Sequence, residues 1–377
     1  MAQLSTLFPD SYEESRARFR QNLHRVQSLW PSARLAAHPV DGDENLTIDW
    51  IEADALEEKE KLLALTTGEH GIEGYVGSAM LQLFFDEILP RLEPSSTGLL
   101  VVHAVNPWGM KHRRRTNTAN VDLNRNFVWE ARALDQSSNP DYAKLEPFLN
   151  PRGSIHSLWL SNLSFTCGLL WRLLRSGVQS IRGATLLGQY RFPQGIYYGG
   201  TSIQEETMVL MELYRQHLRE YQHVVLLDMH TGYGPRYQMS LVNSCLEPRK
   251  SEELRQQFSY PLVVKSDPAE FYAMQGDMID YLYTLVRQEF PPKRLYATSF
   301  EFGTLGDSLW ATVRSLRAMV LENQMHWFGA MTQEVRERIE RDFAELFFPS
   351  EERWRAKVVA DARQALRGIL GAEGFLS

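Results

Sequence analysis

Four runs of this sequence, "KLLALTT" (61–67), "GLLVVHAVNP" (98–107), "HVVLLDMH" (223–230) and "RLYATSFEFGT" (294–304), are apolar over most of their length instead of alternating apolar with polar. A strand that reads this way is buried on both faces, as in the middle of a largely parallel sheet covered by helices. "TIDWIEA" (47–53) and "YPLVVKSD" (260–267) read as further strands. Helical patterns lie between them: a charged amphipathic run over 11–30, another over 75–92 stopped by "EPSSTG", and an apolar run over 158–174. A further helix opens at "GGTSIQEETMVL", where Ser202 and Glu205 have the S-x-x-E spacing of a capping box. The tail over 331–370 is Arg/Glu-rich and reads as helix, and no internal repeat or flexible linker is visible. The pattern predicts one α/β domain over 1–377, its core at about 46–330 and flanked by charged helical extensions.

Composition narrows the function classes. A formal charge of −7 argues against a nucleic-acid binder, which carries a broad basic surface. Cys167 and Cys245 form no C-x-x-C pair, which excludes a disulfide scaffold or a cysteine-based zinc knuckle and suits a reducing compartment. The opening "MAQLSTLFPDSYEESRARF" lacks the basic-then-apolar layout of a secretory signal. No uninterrupted apolar stretch reaches the ~20 residues that span a bilayer. The nearest, Leu158 to Leu174, is broken by Ser, Asn, Thr and Arg, and reads as a well-buried helix. The expectation is a soluble, cytoplasmic protein with neither nucleic acid nor membrane as partner.

The chemistry-bearing residues gather at strand ends. His70 and Glu73 follow the 61–67 strand in "TTGEHGIEGYVG", His230 closes the 223–230 strand, and Glu301 lies at the end of the 294–304 strand. Asn124 and Arg125 sit in the polar segment after 98–107. In open α/β sheets ligands bind outside the carboxyl ends of the strands, so parallel strands bring these groups to one edge. His70, Glu73 and His230 make a His₂Glu set, one of the catalytic zinc sets that leave a position for water. Taken alone, H-x-x-E is also the pattern of a loop histidine beside a solvated carboxylate. Glu301, costly to place in an apolar strand, is the candidate general base for a zinc-activated water; a structural ion pair with an arginine is the alternative. "KHRRR" (111–115) and Arg125 supply arginines for an oxyanion and for a substrate carboxylate. For Lys111 and Arg113 a solvated charge run is the preferred reading.

"GEHGIE", "NPWG…RTNTANVDLNRNF", "LLDMHTG" and "EFGT", in this order over 66–304, resemble the M14 superfamily of zinc carboxypeptidases, and "GQYRFPQGIYYGG" (188–200) resembles its bacterial DUF2817 branch. The resemblance implies a three-layer α/β/α fold with a mixed, largely parallel central sheet, and one Zn²⁺ per chain on His70, Glu73 and His230. It implies Glu301 as catalytic glutamate, Asn124 and Arg125 as binders of the substrate carboxylate, and Asp122 as the aspartate orienting His70. The oxyanion arginine falls on Arg115, with Arg114 as the fallback because the arginine run leaves the register open. The substrate-closing tyrosine of digestive carboxypeptidases has no clear counterpart; Tyr272 is the candidate. The implied activity is hydrolysis of an amide bond next to a free carboxylate, on a peptide. The aspartoacylase-like branch, which shares the motifs, makes deacylation of small N-acyl amino acids the rival, and a non-catalytic metal- or ligand-binding protein on the same fold is the alternative from another class.

Overall fold

The computed structural model describes residues 4–130, 134–265 and 276–376. Among them run eight strands: β1 (Arg34–Val40), β2 (Asp43–Ala53), β3 (Lys61–Thr67), β4 (Thr97–His103), β5 (His223–Thr231), β6 (Met239–Asn243), β7 (Val263–Lys265) and β8 (Arg294–Phe302). They form one sheet in the order β1-β2-β4-β3-β5-β8-β6-β7. The central run β4-β3-β5-β8 is parallel throughout, whereas β1/β2, β2/β4 and β6/β8 pair antiparallel. The sheet is therefore mixed and largely parallel, with helices on both sides.

The apolar runs have their expected cause. Leu63, Leu65, Leu99, Val101, Val225 and Leu227 face one layer, packed with helices Tyr12–Gln21, Gly74–Leu83 and Glu352–Ala372. Their neighbours Leu62, Ala64, Leu100, Val102, Val224 and Leu226 face the other, packed with Glu205–Glu220 and Met278–Glu289. Successive residues of a strand point to opposite faces, so a strand covered twice must be apolar at every position. Trp354 and Ala362 near one terminus, and Phe8, Tyr12 and Phe19 near the other, belong to the first of these clusters, so the charged terminal helices bury their apolar faces on the sheet.

From β3 the chain crosses to β4 on one side, while β5 takes the other side. That divergence is a topological switch point, and it opens a crevice at the carboxyl ends of β3 and β5.

Several expectations need correction. β1 and β6 carry no strand signal strong enough to find, and of the expected strand over 260–267 the described residues form Val263–Lys265, with 266 and 267 outside them. The capping box does not form: the helix begins at Glu205 after Gln204, and the Glu205 carboxylate instead receives the Asp41 backbone N–H at 3.0 Å and pairs with His38 at 2.8 Å. The helix expected over 158–174 is present, runs to a break at Gly177 and resumes as far as Leu186, but it is not well buried: Leu174 is 89% exposed and Trp159 69%.

Candidate metal centre

β3 ends at Thr67, and Gly68 then turns the chain with φ +74°, in the left-handed region that favours glycine. His70 follows in extended conformation, and Gly71–Glu73 form a single 3₁₀ turn that runs into the helix Gly74–Leu83. Gly71 is required by close approach: a Cβ there would lie 2.1 Å from the Gly109 carbonyl carbon. Two of the turn's N–H groups are spent on the arginine segment, Gly71 N–H donating to Arg115 O at 3.2 Å and Ile72 N–H to Arg114 O at 2.9 Å. The H-x-x-E turn and the arginines are thereby fixed to each other. His230 and Glu301 arrive from the sheet itself, as directly paired residues of the adjacent parallel strands β5 and β8.

His70, Glu73 and His230 are all buried and converge. His70 Nδ1 lies 3.3 Å from His230 Nδ1 and 2.9 Å from Glu73 Oε1, and His230 Nδ1 lies 3.3 Å from Glu73 Oε2. Ligand nitrogens bound tetrahedrally to Zn²⁺ at about 2.05 Å stand roughly 3.3 Å apart. The donor set thus has the composition, spacing and burial of a divalent-metal site.

Both rings carry a carboxylate on the nitrogen that faces away. His70 Nε2 is 3.1 Å from Asp122 Oδ1, and His230 Nε2 hydrogen-bonds Asp228 Oδ2. A carboxylate there fixes the tautomer and leaves the Nδ1 lone pair free to bind a metal. Asp228 went unrecognised in the sequence, as did Glu69, which lies 3.3 Å from His230 Nε2 and is buried. Burial, with the Asp228 charge adding to it, pushes the Glu69 carboxyl up to about 7. Burial also works against the charge on Glu73, but the two imidazoles outweigh it and hold its pKa low. Asp122 stays well below the usual carboxylate range despite its burial, because Arg115, Arg125 and His70 surround it.

Glu301 is half-buried, and one of its carboxylate oxygens makes no hydrogen bond. Burial, reinforced by the Glu73 charge, pushes its pKa up to about 8. Arg115 reaches the same place: Nε donates to Asp122 Oδ2 at 3.0 Å and NH1 to Glu73 Oε1 at 3.3 Å. Arg114 points elsewhere, its Nε 2.8 Å from Glu322 Oε1 in a buried ion pair. Lys111 and Arg113 are exposed.

Asp122 precedes a single 3₁₀ turn, Leu123–Arg125. Asn124 Oδ1 accepts from Met278 N–H at 3.0 Å, and Arg125, 3% exposed, packs beneath the loop that follows the long helix. There Gly188 lies so close that a Cβ would sit 2.7 Å from Arg125 Cδ, and Tyr190 donates its hydroxyl proton to Arg125 O at 2.8 Å. Tyr272 lies outside the described residues. Tyr197 has φ +58°, uncommon for an aromatic residue, and burial raises its pKa while the charges of Arg115 and Arg125 oppose the rise. The sequence signal that could have found it is the doubled tyrosine before Gly199-Gly200.

Among solved structures the chain is similar to bovine thrombin-activatable fibrinolysis inhibitor in complex with tick carboxypeptidase inhibitor, at 14% identity and TM-score 0.45, covering 96% of this chain and 99% of that one. It is also similar to carboxypeptidase A from Helicoverpa armigera, at 13% identity and TM-score 0.46, covering 89% and 73%. A third likeness is to succinylglutamate desuccinylase from Chromobacterium violaceum, at 14% identity and TM-score 0.37, covering 81% and 72%. These likenesses are loose. No curated protein matches the sequence. The family model described as "Protein of unknown function (DUF2817)" matches residues 8–361. With nearly its whole length matched, the chain belongs to the DUF2817 family.

Proposed function

We propose that this protein is a zinc-dependent hydrolase of the M14 carboxypeptidase type, which cleaves an amide bond next to a free carboxylate. The observation that carries the reading is the facing of His70 Nδ1, His230 Nδ1 and Glu73 at tetrahedral ligand spacing, with Glu301 on the strand position beside His230. A divalent ion held there supplies a Lewis acid for the amide carbonyl and acidifies water. Glu301 takes the proton from the attacking water and returns it to the leaving amine. Arg115 offers a fixed guanidinium to the developing oxyanion, and Asp122 holds both Arg115 and His70 in orientation. Arg125, with Asn124 beside it, binds the substrate carboxylate. N-acyl amino acids stand beside peptides as candidate substrates.

Glu301→Gln tests the reading. Zinc-loaded wild type is expected to hydrolyse members of a panel of dipeptides and N-acyl amino acids. The folded variant is expected to keep its zinc while losing on the order of 10²–10⁴-fold in rate. A folded Glu301→Gln with full activity removes Glu301 from the mechanism. A zinc-loaded wild type inert to the whole panel favours a non-catalytic binding protein.

A further inference from the structure

The helix Leu158–Leu186 is apolar on two sides, and the fold covers only one of them. Phe165 and Leu169 pack in a cluster with Tyr142, Phe148, Leu316 and Val320. The other side presents Trp159, Leu160, Leu163, Leu170, Trp171 and Leu174, at 69, 55, 47, 55, 53 and 89% exposure. Their spacing of three, four and seven residues lines them up as one stripe, which ends before the break at Gly177. Single exposed apolar side chains are ordinary, but a continuous row marks a surface that something covers.

The charges of this helix identify what covers it. Up to the break at Gly177 its residues include Arg172 and Arg175 and no Asp or Glu, in a chain of net charge −7. The exposed Arg175 lies over the exposed Trp171 ring, 4.7 Å from its centroid, whereas Arg172 packs closer over Phe148, at 4.5 Å, and donates to Gly168 O. The same chemistry recurs on the helix Leu309–Phe328, which joins the same cluster through Leu316 and Val320. It opens with Leu309 and Trp310, 68 and 71% exposed, followed by the exposed Arg314; Asp307, just before it, is the one nearby carboxylate in sequence. Tryptophan with arginine on an otherwise apolar face is the make-up of a helix lying at a lipid–water boundary. A symmetric contact with a second copy would instead set one acid-free, arginine-bearing helix against another. No helix among the described residues is long and apolar enough to cross a membrane.

We infer that this helix docks the protein on the surface of an anionic lipid bilayer. The stripe Trp159–Leu174 enters the headgroup–acyl boundary, and Arg175 meets lipid phosphate. This departs from the expectation of no membrane partner, and it holds whether or not the hydrolase reading does.

The test is co-sedimentation of the full chain with vesicles of phosphatidylcholine, with and without added phosphatidylglycerol, at low and high salt. The wild type is expected to bind the anionic vesicles with a blue shift of tryptophan emission, and to bind less at high salt. Leu163→Ser/Leu174→Ser, both exposed positions whose polar replacement leaves the core intact, is expected to abolish binding without changing the circular dichroism spectrum. Arg175→Glu is expected to weaken binding by roughly 30-fold, the effect of removing one surface cation and adding an anion. A folded wild type that ignores anionic vesicles, or binds neutral ones equally well, overturns the inference. So does a wild-type dimer in light scattering that the double serine variant splits into monomers, since a second copy then covers the stripe.

Discussion

Replacing Asp228 with asparagine separates a histidine held for a metal from one merely buried at a strand end. Asp228 Oδ1 accepts from Thr66 Oγ1 at 2.5 Å, and Oδ2 holds His230 Nε2. Thr66 and Asp228 are paired residues of β3 and β5, so the carboxylate has little freedom to move. Asparagine keeps the shape but replaces one accepting oxygen with an NH2 donor, so one of the two protons donated by Thr66 Oγ1 and His230 Nε2 loses its acceptor there. It also loses the charge that keeps the proton on Nε2 and makes Nδ1 a stronger donor to a metal. Partners of this kind are worth 10–100-fold in metal affinity, or about 1.4–2.7 kcal/mol. The metal-free protein loses only one hydrogen bond of about 1 kcal/mol, so it remains folded. Competition for zinc between the apoprotein and a chromophoric chelator measures the effect. The Kd is expected to rise by about 10–100-fold in Asp228→Asn and by at least as much in Asp228→Ala. Unchanged zinc affinity in both variants, with native circular dichroism, would refute the assignment of His230 as a ligand oriented by Asp228.

Arg115→Ala is expected to lower kcat by roughly 10²–10³-fold with little effect on folding. Arg114→Ala leaves Glu322 buried without its cation, so it is expected to lower stability by about 3–5 kcal/mol, read by denaturant melts. Arg125→Lys loses the planar fork and is expected chiefly to raise KM and to erode the preference for free carboxylates over their amides; unchanged kinetics on both substrate types would remove Arg125 from substrate binding. His103, buried between Ser15 Oγ and Thr67 Oγ1 at 2.7 Å each, is held neutral, with burial pushing its pKa down to about 4. Because its folded pKa lies below the unfolded value of about 6.5, the unfolded chain takes up the extra proton between those values. Stability is then lost as pH falls through that window, by up to about 3 kcal/mol. Melting temperatures measured from pH 7 down to pH 4 check this, with a shallower fall expected in a folded His103→Gln.

The central strands were legible because burial on both faces forces a continuous apolar run, and helices with one covered face show their period. β1 was not legible: it is an edge strand, mostly exposed or half-buried, with Pro39 inside it, so no buried face disciplines its sequence. β6, five residues long, offers too short a window for either period. At the candidate site, His70, Glu73, His230 and Glu301 could be read from their places at strand ends. Asp228 could not, since an aspartate two residues before a histidine in a buried strand acquires meaning only through Thr66 across the sheet. Arg114 and Arg115 are indistinguishable in a run of arginines; Glu322, more than two hundred residues downstream, is what draws Arg114 away. The long helix was misjudged because an apolar run records what a face prefers to contact, while the remainder of the chain decides what there is to cover it.

The register of the central strands has a consequence for how the protein comes to hold an ion. His70 and His230 are 160 positions apart, and Glu301 follows only when β8 zips against β5. His70 and Glu73 share one turn, but the chain must close a long loop, at its entropic cost, before His230 joins them. Until β5 pairs with β3, an ion would find only the two donors of that turn. It arrives last and behaves as a latch, adding RT ln(1 + [M]/Kd) to the stability of the finished sheet and nothing to the stages before it.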